Sequence, residues 1–123
     1  MKLALVALLL VVPELAAASG PMVCGINSLT ARERGRRDTL IHQLMPKAQV
    51  EETADGMQFT WADDATAYAK VTEFVGLERR CCPFLDFEMR FSGPDAPVVL
   101  VLYGDDEVKK FVKSSDLFEG DQE

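Results

Sequence analysis

The sequence predicts a small α+β domain in which helices cover one face of a mostly antiparallel four-stranded sheet. Three segments carry apolar residues at helical spacing, which indicates amphipathic helices. Four shorter segments read as strands grouped in two hairpins. The resulting order is α-β-β-α-β-β-α, and hairpins joined by helices favour an antiparallel sheet with its helices in one layer.

The first half is predicted to be a helix followed by a hairpin. Thr30 and Glu33 form a T-x-x-E capping box, so a helix is expected from Thr30 to Met45, where Pro46 stops it. Residues 48–53 and 57–61 flank an Asp-Gly dipeptide, which is a strong signal for a two-residue hairpin turn.

The second half is predicted to repeat this arrangement. Asp63 or Asp64 is expected to cap a second helix that continues to about Arg80, and Pro83 ends it by removing an amide donor. The apolar stripe of this helix is expected to contain Tyr68, Val71, Phe74, Val75 and Leu77.

Two more strands and a last helix complete the prediction. Residues 85–91 alternate between apolar and polar and indicate a half-buried strand. Residues 98–103 are continuously apolar, which indicates a central strand or one covered on both faces. Asp105-Asp106 is expected to cap the final helix, with Val108, Phe111 and Val112 turned inward.

The N-terminal end resembles a secretory signal. Lys2 precedes an apolar run over residues 3–12, followed by Pro13 and small residues up to Ser19. The run is too short to span a bilayer. Either this leader is real, or Met22 is the true start, or the leader stays as an uncleaved anchor. The protein is therefore expected in the periplasm or secreted in the first case, and otherwise in the cytoplasm.

The predicted organisation is a leader over residues 1–21, one α+β domain over 22–113 and an acidic flexible tail over 114–123. The length of 123 residues fits one small domain. The apolar fraction of 48% is too high for a disordered chain, and the net charge of −7 argues against a nucleic-acid binder. No phosphate-binding loop, Ser-His-Asp set or H-E-x-x-H motif is found.

The most informative local feature is the block Leu77-Glu78-Arg79-Arg80-Cys81-Cys82-Pro83-Phe84. Adjacent cysteines at a helix end, fixed by Pro83 and Phe84, admit three interpretations. They are small apolar residues in a packed junction, ligands of a soft metal ion, or a redox or catalytic thiol site.

The metal interpretation has few ligands to draw on. Cys24, Cys81, Cys82 and His42 are the only cysteines and histidine in the chain, and together they would make a Cys₃His set. A heavy thiophilic ion needs only two or three thiolates. Glu78 lies one turn before Cys82, where it would contact the thiols or a metal, although such a residue is more often an exposed charge.

The redox interpretation meets opposing effects. Arg79 and Arg80 would lower the pKa of a neighbouring thiol, whereas the negative end of the helix dipole would raise it. A disulfide between adjacent cysteines is strained, because their Cα atoms are about 3.8 Å apart and disulfides usually need ~4.4–6.8 Å. In an exported protein, a bridge from Cys24 to Cys81 or Cys82 is more natural.

Residues 24–112 resemble a family of uncharacterised small bacterial proteins or domains. The resemblance is carried by Cys24, by Leu29-Thr30 with Arg34, by the L-E-R-x-C-C-P-F block over residues 77–84 and by the strand that follows it. No established activity comes with this family. The resemblance implies that Cys24 belongs with Cys81 and Cys82. Since similar members lack an export signal, it also adds weight to the alternative in which Met22 is the start.

A basic patch lies in the first helix of this acidic protein, at Arg32, Arg34, Arg36 and Arg37. Glu33 and Arg37 are spaced to pair on the helix surface. The patch is either a solvated face or a surface for an anion or a protein partner.

The leading hypothesis from the sequence is binding of a soft metal or metalloid ion at Cys81 and Cys82, completed by Cys24. The alternatives are a thiol oxidoreductase or transferase, and a non-catalytic interaction module with packed cysteines. The sequence leaves open whether the protein is an enzyme. Apart from an uncleaved leader, no stable membrane span and no nucleic-acid partner are expected.

Overall fold

The computed structural model describes residues 25–62 and 64–115. The leader, Cys24, Asp63 and the tail from residue 116 onward lie outside the described residues. The elements are α1 (Ala31–Leu44), β1 (Gln49–Thr53), β2 (Gly56–Trp61), α2 (Ala67–Cys81), β3 (Asp86–Arg90), β4 (Val98–Tyr103) and α3 (Asp106–Ser114). This order confirms the α+β class predicted from the sequence.

The four strands form one antiparallel sheet in the order β1-β2-β4-β3. β4 therefore lies in the interior of the sheet, as its continuous apolar sequence predicted. Phe59 of β2 and Met89 of β3 both lie opposite Leu100 of β4. Because side chains opposite one another share a face, this register gathers the apolar side chains of three strands on one side.

The core lies between that side of the sheet and the helices. β2 and β4 contribute fully buried large side chains, which include Phe59, Trp61, Leu100 and Leu102. Both α1 and α2 pack their own buried residues against these, among them Leu40, Leu44, Val71 and Phe74. The Trp61 indole Nε1 donates to the carbonyl oxygen of Leu44 at 2.8 Å, so the largest core side chain also has its polar atom satisfied.

α1 begins and ends within one residue of the predicted bounds, with Thr30 as its N-cap and Met45 as its C-cap. The Thr30 side chain accepts from the Glu33 amide at 3.1 Å and the Glu33 carboxylate accepts from the Thr30 amide at 2.9 Å, so the capping box is formed. At the other end a short 3₁₀ turn over Met45–Lys47 contains Pro46. Pro46 fits there because the first residues of a helical turn need no amide donor.

The predicted start of α2 at Asp63 or Asp64 is wrong for Asp64. The N-cap is Thr66, and Asp64 Oδ1 accepts from the Thr66 amide at 2.9 Å and from its hydroxyl at 2.6 Å. Asp64 thus shapes the turn before the helix, as an aspartate often does. Tyr68 is also misplaced in the predicted apolar stripe: it is 49% exposed and meets Phe91 edge-on, with ring centroids 4.8 Å apart.

Two further local features fix the sheet and its last helix. Gly56 lies so close to β4 that a Cβ at this position would overlap the carbonyl oxygen of Leu102. Asp105 caps α3 as predicted, since its side chain accepts from the Val108 amide at 3.1 Å.

Within the described ranges, none of the helices has the length and apolarity needed to cross a bilayer.

Candidate functional site

The adjacent cysteines lie where α2 ends. Cys81 is the last residue of the helix and Cys82 is its C-cap, with its amide donating to the carbonyl oxygen of Glu78 at 2.7 Å. Pro83 follows in an exposed turn, and Phe84 packs edge-on against Phe111 of α3 at 4.9 Å between centroids. The turn therefore directs both cysteine side chains into the protein, where neither is exposed to solvent.

The two sulfur atoms are in different chemical states. Cys82 is disulfide-bonded, whereas Cys81 is a thiol outside any disulfide. Cys24 lies outside the described residues. The residue after it, Gly25, donates its amide hydrogen to the carbonyl oxygen of Cys81 at 2.6 Å.

The segment before α1 is held against the end of α2. The Ser28 hydroxyl donates to the Arg80 carbonyl oxygen at 2.9 Å, and the Arg80 guanidinium donates back to the Ser28 carbonyl oxygen at 2.9 Å. Arg80 also pairs with Glu33, the capping residue of α1. The hydrogen bond from Arg80, and after it the one from the Thr30 amide, lowers the pKa of Glu33 from 4.5 to about 2. Arg80 thus connects the two helices at this site.

Arg79, the other basic residue of the block, is exposed. Together with Pro83 and Asp86 it lines an open surface cavity of about 570 Å³ between α2 and β3. Its position places a positive charge beside the turn that follows the cysteines.

A buried ion pair lies directly beside Cys82. Arg37 donates from Nε to Glu78 Oε2 at 2.7 Å and from Nη2 to Oε1 at 3.2 Å, and both side chains are 3% exposed. The same Oε1 atom of Glu78 lies 3.4 Å from the sulfur of Cys82. Because a disulfide sulfur carries no hydrogen, this is a close contact rather than a hydrogen bond in the oxidised form.

This arrangement corrects the expected surface pair between Glu33 and Arg37. Glu33 binds Arg80, and Arg37 binds Glu78. The sequence contains a signal that was missed: Arg37 lies three residues before Leu40 and four before Ile41, on the face of α1 that is buried. A charged residue on such a face requires a buried partner.

The remaining arginines of the basic patch differ in their surroundings. Arg36 forms a two-hydrogen-bond pair with Glu73, at 2.7 and 2.8 Å, and both side chains are more than two-fifths exposed. Arg34 donates to the Leu29 carbonyl oxygen at 2.9 Å, and Arg32 is exposed. Since Arg37 is buried, a partner surface on α1 would have to use the other three.

His42 is not brought to the cysteines. Its ring lies on the exposed side of α1, with Nδ1 2.7 Å from the carbonyl oxygen of Asp38. Over residues 25–62 and 64–115, no group of three or more His, Cys, Asp and Glu side chains is arranged to hold a metal ion. The described residues thus supply two sulfur atoms and one carboxylate to the site.

Comparison with known protein families, with curated proteins and with solved structures gives no match to this chain. The functional argument therefore rests on the site itself.

Proposed function

We propose that this protein is a thiol-site domain whose reduced form binds a soft metal or metalloid ion through Cys81 and Cys82, with Cys24 as the third ligand. The observation that carries the proposal is the hydrogen bond between the Gly25 amide and the Cys81 carbonyl. Because Cys24 directly precedes Gly25 in the chain, we infer that it is close enough to join the two buried cysteines.

The oxidation state of Cys82 supports the same grouping. Cys82 is disulfide-bonded, Cys81 is not, and the chain contains three cysteines in all. We therefore assign Cys24 as the disulfide partner of Cys82. A dithiol reductant that donates two electrons and two protons would break this S–S bond and become a disulfide itself. The product would be three neighbouring thiols.

Three neighbouring thiols would suit a soft ion. Thiolates favour Cu⁺, Zn²⁺ and heavier thiophilic ions over hard cations. Each thiol must lose its proton to coordinate, so binding releases protons and strengthens as the pH rises. The disulfide form lacks two of the three ligands, and we expect it not to bind. Reduction would thus control the occupancy of the site.

The test is native mass spectrometry of the reduced and the oxidised protein with Zn²⁺, Cu⁺, Hg²⁺ or arsenite. We expect one ion per reduced chain, none on the oxidised chain, and loss of the adduct in both Cys81→Ser and Cys82→Ser. His42→Ala is the matched control and should bind as the wild type does. Equal adducts in the cysteine variants and the wild type would contradict the proposal, as would no adduct at all.

A second candidate is thiol–disulfide exchange with an external substrate, which is favoured by the disulfide of Cys82 beside the thiol of Cys81. A substrate dithiol would be oxidised as this disulfide is reduced. The complete burial of both cysteines argues against direct access to them. This candidate requires the reduced protein to react with iodoacetamide well below pH 8, and uniformly slow alkylation would exclude it.

The third alternative, an interaction module with packed cysteines, gives a different result in the same experiments. Cysteine-to-alanine changes would then lower the free energy of unfolding by ~1–3 kcal/mol and alter no ion binding. Any protein partner would have to be sought on the surface, where the exposed Arg32 and Arg36 and the half-buried Arg34 remain candidates.

A further inference from the structure

The sheet edge formed by β3 leaves backbone groups and apolar side chains accessible together. In the order β1-β2-β4-β3, β3 is hydrogen-bonded to β4 on one side, and no described strand lies on its other side. An edge strand of this kind presents a row of amide and carbonyl groups that a further strand can bind. Phe91 follows β3 directly and is 50% exposed, and Phe87 and Met89 are half-buried. This edge therefore has the features of a strand-pairing surface.

The charged side chains of β3 determine which strand fits. Phe87 and Met89 pack against the core, so Glu88 and Arg90 lie on the opposite face of the sheet, away from the helices. Glu88 and Arg90 form an ion pair, and the Tyr103 hydroxyl donates to Glu88 Oε2 at 2.6 Å. The edge thus presents one acidic and one basic side chain, and β4 holds the acidic one in place.

We propose that two copies of this chain associate through antiparallel pairing of their β3 strands, centred on Met89, so that their sheets form one continuous sheet. A twofold axis perpendicular to the sheet then sets Glu88 opposite the partner's Arg90, and Arg90 opposite the partner's Glu88. Since each Glu88 also contacts the Arg90 of its own chain, four charges of alternating sign would form a closed ring. Opposite charges that face each other across two strands stabilise the pair.

The same register covers apolar side chains on the face that carries the helices. Met89 lies opposite its own counterpart, and two positions away Phe87 faces the partner's Phe91. Tyr68 of α2 extends this apolar surface, since it is 49% exposed and packs edge-on against Phe91. The twofold axis keeps the helices of both copies on one side of the joined sheet. Pairing would therefore bury aromatic surface that a single chain exposes.

Other arrangements of the two strands are less favourable. Centring the pair on Phe87 sets Asp86 opposite the partner's Glu88, and centring it on Glu88 sets two glutamates opposite each other. Like charges in these positions are destabilising. The other edge strand, β1, contains two glutamates and no basic residue, so two β1 strands have no pair of opposite charges to form. The charge pattern thus favours β3, with Met89 at the centre.

The test is sedimentation velocity of the full chain over a series of protein concentrations. We expect the wild type to convert from monomer to dimer as its concentration rises. Arg90→Glu sets glutamates opposite each other at two places in the dimer and should raise the dissociation constant at least about tenfold. Lys110→Glu makes the same change of charge at an exposed position on α3, and it should dimerise as the wild type does.

Exchange of the two charges tests the register. In Glu88→Arg/Arg90→Glu each arginine again faces a glutamate of the other copy, so this variant should regain self-association. A mixed dimer with the wild type would have like charges at both places. Native mass spectrometry of the variant mixed with isotope-labelled wild type should therefore show mixed dimers well below the half that random pairing gives.

The disulfide is kept oxidised and no metal is added, so the result does not depend on the proposed ion binding. A wild-type chain that stays monomeric at every concentration would overturn the proposal and leave this edge to another occupant, such as an extended peptide. Undiminished dimerisation of Arg90→Glu, a charge-exchanged variant that stays monomeric, or random formation of mixed dimers would overturn the pairing of β3 about Met89.

Discussion

Removal of one partner of the buried Arg37–Glu78 pair should destabilise the protein far more than removal of both. Arg37→Met leaves the Glu78 carboxylate, 2% exposed, without its two hydrogen bonds from the guanidinium. Breaking a buried pair in this way costs about 3–5 kcal/mol. Replacing both residues by apolar ones of similar volume, in Arg37→Met/Glu78→Leu, is expected to leave the free energy of unfolding within about 1 kcal/mol of the wild type.

Urea unfolding followed by far-ultraviolet circular dichroism measures this difference, with the disulfide kept oxidised in every variant. With a urea m-value of about 1–2 kcal/mol per molar, Arg37→Met should lower the midpoint by roughly 2–4 M. Arg36→Met/Glu73→Leu is the matched control on the same helices, and exposed pairs contribute at most about 1 kcal/mol. A loss below about 1 kcal/mol for Arg37→Met, or a double variant as unstable as the single one, would refute the reasoning.

Two further predictions concern the helix and sheet contacts. The pKa of Glu33 is lowered from 4.5 to about 2 by Arg80, so the stability that this pair adds is present above about pH 4.5 and is lost as the pH falls through about 2. Glu33→Gln keeps the capping hydrogen bond, and its deficit in urea unfolding should therefore shrink over that range; a deficit independent of pH would contradict this. Gly56→Ala should cost about 2 kcal/mol or more because its Cβ meets the backbone of β4, whereas Gly76→Ala, with open space around it, should be neutral or stabilising in the same assay.

The sequence predicted those parts of the fold that depend on local chemistry. The first hairpin, the Thr30–Glu33 capping box and the Asp105 cap each depend on residues within a few positions of one another, and each is found. The hairpin turn itself is Ala54-Asp55, and Gly56 is already the first residue of β2. The uninterrupted apolar run of β4 likewise predicted an interior strand. Such signals are carried by spacing alone, so they need no knowledge of distant contacts.

The parts that were missed depend on contacts between distant residues. Tyr68 fits the helical period of α2 yet lies beyond the edge of the covered face, where it packs on Phe91. Arg37 of α1 pairs with Glu78 of α2, which is 41 positions away in the sequence. Spacing within one helix favoured Glu33 as its partner because a local pair is all that a single segment can reveal. The tertiary arrangement replaced that local pair by two pairs between helices.

The position of the adjacent cysteines at the end of α2 was predictable from the sequence, whereas their oxidation state was not. The Cys-Cys-Pro block identified the end of α2, and Cys81 and Cys82 are found there, fully buried. The buried environment of Glu78 had no sequence signal of its own, because the residue lies among charged neighbours in the block.

The strand order β1-β2-β4-β3 has a consequence for the two α-β-β halves of the chain. β2 and β4, the second strand of each half, run antiparallel at the centre of the sheet, and Gly56 lies opposite Tyr103 just as Trp61 lies opposite Val98. A twofold rotation therefore exchanges the two halves of the sheet. Neither half alone covers its inner strand, so each would expose a full row of backbone donors and acceptors. If the chain is cut between the two halves, we expect the fragments to fold only when they associate with each other.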